Sequence, residues 1–130
     1  MTKISEQIAN VQNEILMVGA IYKNPDLLVE YSQYIKSKYD FHDEVTKFFY
    51  DNAEIIYKKR SQTFNKATIT TFMTEDTERL ALYKKYGGWS LLESWEKLAI
   101  VDNFKNYYEI LKKYSLLREY QRNGYAVEKI

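Results

Sequence analysis

One helical pattern near the N-terminus constrains the fold of this chain more than any other feature. Apolar residues recur there at steps of three or four: Ile4, Ile8, Val11, Ile15, Val18 and Tyr22. This spacing places all six side chains on one face of an α-helix. Gly19 lies beside the stripe, and a glycine inside a helix costs ~1 kcal/mol relative to alanine. Since close approach of a second helix would offset that cost, the sequence predicts a helix contact at Gly19.

The 3.6-residue period persists along the chain and predicts an all-α fold, a compact bundle of about six helices. One proline and four glycines fit a helical domain with few loops. Residues 1–22 are expected to form one helix, or two that meet near residues 10–13. Further helices are predicted over residues 24–34, 40–59, 65–73 and 77–86, then a leucine-rich helix after residue 88 and a long helix from residue 104.

Two positions in the first half of the chain are predicted to start helices. Asn24 can cap the second helix with its side chain, and Pro25 fits the first turn of that helix. Asp40 can cap the following helix, where Asp43, three residues on, resembles the second member of a capping box.

Three boundaries in the second half are also predicted. Asn65 can cap the helix that follows it. Gly87 and Gly88 supply the positive φ that ends one helix and lets the next begin. Asn103, together with Asp102, is expected to cap the last helix.

Composition limits the partners of the chain. Its 130 residues suit one domain, and 19 Lys and Arg against 18 Asp and Glu give no general attraction to DNA or anionic membranes. No apolar run approaches the ~18 residues that a membrane span needs. The N-terminus shows no basic segment followed by an apolar one, so we expect no signal peptide and a cytoplasmic location.

Catalytic and metal-binding patterns are absent from the sequence. No glycine-rich loop ends in Gly-Lys-Ser/Thr, so there is no P-loop for ATP. His42 is the only histidine and there is no cysteine, which gives no set of residues at metal-ligand spacing. We therefore expect no reaction, no cofactor and no metal in this chain. The many aromatic residues, 13 Tyr among them, fall on helical stripes and are expected to fill the core rather than stack on bases.

The last helix carries apolar residues on two sides. At 100° per residue one side holds Phe104, Tyr107, Tyr108, Leu111 and Tyr114, and the roughly opposite side holds Leu116, Leu117, Tyr120 and Val127. The first side can pack on the domain, which leaves the second facing outward. Because an outward apolar patch usually marks a partner surface, we predict an interface formed by Tyr114, Leu116, Leu117, Tyr120 and Val127.

Several landmarks, taken in order, resemble the N-terminal domain of DnaB-type replicative helicases. They are Glu14 to Ile21 with Gly19 near the centre, then Asn24-Pro25, Asp40-Phe41 and Phe49-Tyr50, Gly87-Gly88-Trp89 before a leucine-rich helix, and Asn103, Tyr107 and Ile110-Leu111. The resemblance covers the chain from about Asn13 onward. The family often has histidines just before the bulky apolar pair that corresponds to Phe49-Tyr50. This chain has Thr46 and Phe48 there instead, so any role of those histidines is not inherited.

This resemblance implies an assembly and partner-docking domain rather than a motor. It divides the chain into a globular helical domain, residues 1–103, and the first arm of a helical hairpin, residues 104–130. In the family, the hairpins of two subunits pair with each other. It further implies formation of a hexamer, contact with a primase or a helicase loader, and contact with DNA only through the parent protein, an ATP-dependent helicase. The alternative is a small stand-alone helical protein that binds nucleic acid or regulates replication.

Overall fold

The computed structural model of this protein describes residues 10–124, and every regular element in that part of the chain is helical. The α-helices are α1 (Val11–Lys23), α2 (Leu27–Tyr31), α3 (Ser37–Asp40), α4 (Glu44–Lys59), α5 (Lys66–Thr74), α6 (Thr77–Tyr86), α7 (Gly88–Leu98) and α8 (Phe104–Arg122), with 3-10 turns at Ser32–Tyr34 and Val101–Asn103. The predicted all-α fold with a long C-terminal helix is confirmed. The α-helices of the described residues outnumber the expected six or so, and α3, which has four residues, was not among the predicted helices.

Helix α1 lies at the centre and packs against α4, α7 and α8. Its C-terminal part is buried on every side: Met17, Val18, Ala20, Ile21 and Tyr22 are at most 1% exposed. The apolar stripe predicted from the sequence covers only one face of the helix, whereas at this end neighbouring elements bury every face. At the other end Val11 is 36% exposed, which the stripe did not predict, and Ile4 and Ile8 lie outside the described residues.

The helix contact predicted at Gly19 is present between α1 and α7. A Cβ on Gly19 would overlap the backbone carbonyl oxygen of Trp95 and lie 2.7 Å from the carbonyl carbon. It would also come within 3.1 Å of the Ala99 Cβ. Only glycine allows α7 to approach this closely, which explains an otherwise unfavourable residue in a helix.

Aromatic side chains form the middle of the core. Phe49 of α4 is fully buried and meets four rings edge-on, those of Phe48 at 5.0 Å, Trp95 at 5.6 Å, Tyr83 at 6.1 Å and Tyr22 at 6.3 Å between centroids. The Tyr22 hydroxyl donates a 2.7 Å hydrogen bond to the Phe49 carbonyl, and burial raises the pKa of that hydroxyl well above its ordinary value. These aromatic residues accordingly act as core packing.

The predicted cap of α5 and the predicted break before α7 are both found. The Asn65 side chain accepts a 2.9 Å hydrogen bond from the Thr68 backbone N–H, and the Thr68 hydroxyl accepts one from the Asn65 backbone. Gly87 and Gly88 have φ of +124° and +60° and separate α6 from α7, as predicted.

The predicted cap at Asn24 is wrong. Helix α2 begins only at Leu27, and its N-cap residue, Asp26, makes no side-chain cap bond. Helix α1 extends through Lys23, so Asn24 instead ends that helix, with its N–H bonded to the Ala20 carbonyl at 2.8 Å. Pro25 consequently lies in the turn between the helices rather than in the first turn of α2.

The capping role predicted for Asn103 is also wrong. Asn103 occupies the residue before α8, but its side chain makes no cap bond. The 3-10 turn Val101–Asn103 leads directly into α8, and the Phe104 N–H donates to the Val101 carbonyl. Asn103 has φ of −94° and ψ of 7° rather than the extended backbone typical of an N-cap, so its side chain is not placed to accept from the first N–H groups of α8.

Candidate docking surface on the last helix and the polar hub beneath it

The first half of α8 belongs to the hydrophobic core. Phe104, Tyr107 and Leu111 are at most 6% exposed. The Asn13 side-chain amide donates a buried 2.9 Å hydrogen bond to the Tyr107 carbonyl, which attaches α8 to the start of α1. The Tyr107 hydroxyl also accepts from the Ile100 backbone N–H at 3.1 Å. We call residues 104–111 the proximal half of α8 and residues 112–122 the distal half.

The inward side of the distal half is polar. Arg118 is only 8% exposed, and its Nη2 donates to the carbonyls of Asp40 at 2.8 Å and Tyr39 at 3.1 Å. The Ser115 hydroxyl donates to the Asp40 carboxylate at 2.7 Å, and the Lys112 ammonium forms a 2.8 Å ion pair with the other carboxylate oxygen. The distal half thus binds the end of α3 through charges and hydrogen bonds.

The structure corrects the role predicted for Asp40. Asp40 is the last residue of α3 and is 3% exposed, and its carboxylate also accepts the Lys36 N–H at 2.8 Å. Helix α4 is capped instead by Asp43, whose side chain accepts from the N–H groups of Val45 and Thr46, both at 3.1 Å. Asp43 has the extended backbone that an N-cap needs, whereas Asp40 is still helical.

A second buried carboxylate lies beside this contact. Glu14 of α1 is 2% exposed and accepts three hydrogen bonds, from the backbone N–H groups of His42 at 3.0 Å and Asp43 at 3.1 Å and from the Thr46 hydroxyl at 2.6 Å. Burial lowers the pKa of the Arg118 guanidinium from its ordinary value, while the carboxylates of Glu14 and Asp40 oppose that change.

These side chains together form what we call the polar hub. Its members are Glu14, Asp40, Thr46, Lys112, Ser115 and Arg118. The hub joins four elements: α1, α3, the start of α4 and the distal half of α8. Hydrogen bonds satisfy both carboxylates, which is the condition for burying such groups at acceptable cost.

The predicted interface residues lie mostly on the other side of the distal half. Successive steps of 100° put Leu117 about 200° from Ser115, and Tyr120 about 200° from Arg118. Leu116 is 51% exposed, whereas Tyr114, Leu117 and Tyr120 are half-buried. The fifth predicted residue, Val127, lies outside the described residues. Among the four that are described, Leu116 offers the most accessible apolar surface.

A separate cavity of about 290 Å³ opens between the end of α4 and α5. Ile56 and Phe72 contribute its apolar lining, and an ion pair between Arg60 and Glu75 stands at its rim. The guanidinium of Arg79 stacks 3.8 Å from the centre of the Phe72 ring. Hydroxyl groups line the cavity, but no histidine does, so its lining offers no pair of nucleophile and histidine base.

Two further features bear on function. Within residues 10–124, no group of three or more His, Cys, Asp or Glu side chains is placed to hold a metal ion. His42 takes part in the structure through its backbone N–H bond to Glu14. None of the helices in the same residues combines the length and the apolar character needed to cross a bilayer.

Comparison with known proteins gives one curated relative, the SPbeta prophage-derived uncharacterized protein YorI of Bacillus subtilis (strain 168). The two sequences are 26% identical over 116 residues, which make up 89% of this chain. The matched region covers 23% of YorI, so this chain spans less than a quarter of the relative's length. No family model matches the chain, and no solved structure does.

Proposed function

We propose that this chain is the N-terminal assembly and partner-docking domain of a replicative DNA helicase. In this proposal it pairs subunits within a hexamer through its last helix, offers a contact to a primase or helicase loader, and meets DNA only through the rest of the parent protein. The domain performs no reaction of its own and works in the cytoplasm. A second copy of the same domain is its first partner.

The observation that carries the proposal is the division of α8 into two halves. The proximal half is anchored in the core, while the distal half carries Leu116 with 51% of its surface exposed. Leu116 lies on the same side of the helix as the half-buried side chains of Leu117 and Tyr120, and apolar residues grouped in this way favour a protein partner. The residues expected in the interface could bury a few hundred Å², which at roughly 25 cal/mol/Å² gives several kcal/mol before association entropy is subtracted. Self-association of the domain alone should therefore be weak.

The fold gives the landmarks of the helicase resemblance physical roles. Gly19 lies at the α1–α7 contact, and Gly87 with Gly88 forms the break before α7. Glu14, the first residue of the first landmark, is the buried acceptor that holds the start of α4. These roles are structural rather than catalytic, as the landmarks of the resemblance are.

The comparison with YorI is compatible with a domain attached to a larger protein. The matched region covers only 23% of YorI, so most of that protein lies outside the similarity. A domain without a P-loop would depend on such additional sequence for any motor activity.

Two measurements on the chain test the proposal. Sedimentation equilibrium from micromolar to millimolar concentration should show reversible self-association. Titration with fluorescein-labelled single-stranded DNA should show no binding that weakens steeply with salt, because the net charge is only +1. A chain that stays monomeric and binds DNA with a steep salt dependence would contradict the proposal and favour the stand-alone nucleic-acid binder.

A further inference from the structure

We infer that the distal half of α8 is a polar latch, able to leave the body of the domain while the proximal half stays in place. The inference rests on the different contacts that hold the two halves. It concerns the single chain and holds whether or not the domain belongs to a helicase.

The proximal half is held by apolar burial. Phe104, Tyr107 and Leu111 are 2%, 6% and 2% exposed, and detaching them would bring three large side chains into water. Fully exposing a buried side chain of this size is unfavourable, because its apolar surface returns to water. Each of the three opposes detachment, so this half stays with the core.

The inward contacts of the distal half with α3 are made by groups that water can also satisfy. Lys112, Ser115 and Arg118 bind the side chain and the carbonyls at the end of α3. A charge released from such a contact regains its hydration, so a buried ion pair adds little net stability compared with apolar packing. Lys112 already has a side chain that is 35% exposed, which places its ion pair at the edge of the contact. Detachment of this half therefore costs less than detachment of the proximal half.

Detachment would also change the helix itself. The distal half has 11 residues, 112–122, and most helical stability in proteins comes from tertiary packing, which this segment would lose. Once separated from α3, this segment should fray and sample many directions. The latch thereby controls where the side chain of Leu116 points. It also controls whether the candidate docking surface, formed by Leu116 with Leu117 and Tyr120, is presented in one fixed orientation.

Paired spin labels can measure this motion, because the chain contains no cysteine that would compete for the label. One pair is placed at Glu78→Cys and Asn123→Cys, to report on the end of the distal half. The control pair is placed at Glu78→Cys and Lys105→Cys, to report on the proximal half. All three positions are exposed. Distances are measured by pulsed electron paramagnetic resonance on the full chain.

The deciding variant is Asp40→Asn, which removes the charge that receives Lys112 and weakens the bond from Ser115. We expect the distance distribution between positions 78 and 123 to become roughly twofold broader, while that between positions 78 and 105 stays unchanged. Asp102→Asn removes the same charge at an exposed site of the same protein, and should change neither distribution.

A second variant keeps the test decisive if Asp40→Asn does not fold. Ser115→Ala removes one hydrogen bond to Asp40 and no charge, and should broaden the distribution between positions 78 and 123 to a smaller extent. Equal broadening of both distances would mean that the hub holds the whole domain together, and this result would overturn the latch. The latch would also be overturned if Ser115→Ala left the distribution between positions 78 and 123 as narrow as in the chain without that substitution.

Discussion

The guanidinium of Arg118 donates a 2.8 Å hydrogen bond to the backbone carbonyl of Asp40, 78 residues earlier in the chain. It also donates to the preceding carbonyl, that of Tyr39, at 3.1 Å. Both carbonyls belong to the end of α3, where a helix leaves its acceptors without partners of its own. Arg118 thus supplies hydrogen-bond donors to the C-terminal carbonyls of α3 and at the same time fixes the position of the distal half of α8.

Replacement of Gly19 by alanine should lower the free energy of unfolding by roughly 1–3 kcal/mol. The added Cβ would overlap the Trp95 carbonyl, and α7 would have to move away from α1. Chemical denaturation followed by circular dichroism measures the change. Val29→Ala, at a position 65% exposed, serves as the control and should leave the midpoint nearly unchanged. A Gly19→Ala midpoint equal to or above that of the parent would show that the helix contact is not tight.

The caps give a second prediction, in which one residue type is compared at two sites. Asn65→Ala should lower stability by about 1 kcal/mol, because it removes the side-chain bond to the Thr68 N–H. Asn103→Ala should have almost no effect, because the Asn103 side chain makes no cap bond. Thermal or chemical unfolding of the two variants checks this difference. Equal losses of stability at both sites would contradict the finding that the Asn103 side chain does not cap α8.

The carboxyl group of Glu96 should make stability depend on pH. Burial raises its pKa above the ordinary value, Glu93 acts in the same direction, and Lys23 opposes both. Because the folded protein binds this proton more tightly, the stability contributed by Glu96 is present below the unfolded-state pKa of about 4.3 and is lost as pH rises through the folded-state value.

Glu96→Gln should therefore gain stability relative to the parent as the pH rises from about 4 to about 7, since the variant has no charge to bury. Unfolding curves across this range give the difference in stability at each pH. Glu109→Gln, at an exposed position of α8, is the matched control and should not reproduce the trend. A difference between parent and Glu96→Gln that stays constant with pH would show that Glu96 titrates alike in the folded and unfolded states.

Local sequence signals predicted most of the helices. The end of α4 at Lys59, the cap at Asn65 and the break at Gly87 each depend on neighbouring residues, and each is present in the structure. The predicted helix contact at Gly19 is a partial exception, because the sequence indicated that a helix approaches but not that α7 does.

The polar hub could not be predicted in the same way. Its bonds join residues far apart in the chain, such as Arg118 with Asp40 and Glu14 with Thr46. Periodicity treats a polar residue as outward, although Ser115 and Arg118 continue the buried side of α8 from Leu111 at steps of four and three. The predictions for Asp40 and Asn24 were wrong for a related reason, since Asp and Asn also occur at helix ends: Asp40 is the last residue of α3, and Asn24 is the residue after α1.

The candidate docking surface was predicted in outline only. The 100° step correctly separates Leu116 from the buried side of α8. It does not indicate how much of each side chain the rest of the chain covers, and Leu117 and Tyr120 prove to be half-buried. Their predicted participation in an interface stays a prediction, and Leu116 becomes the residue on which to test it.

The most direct test of the proposed function compares two exposed leucines by sedimentation equilibrium. Leu116 on α8 is 51% exposed and Leu98 on α7 is 57% exposed, so each can be changed to glutamate with similar effects on solubility and on the core. Burying one leucine is worth about 1.5–3 kcal/mol, so Leu116→Glu should weaken self-association at least roughly tenfold while the thermal midpoint stays near that of the parent. Leu98→Glu should associate like the parent. Equal association of both variants and the parent, or a parent chain that stays monomeric at millimolar concentration, would contradict the assignment of the last helix as the assembly surface.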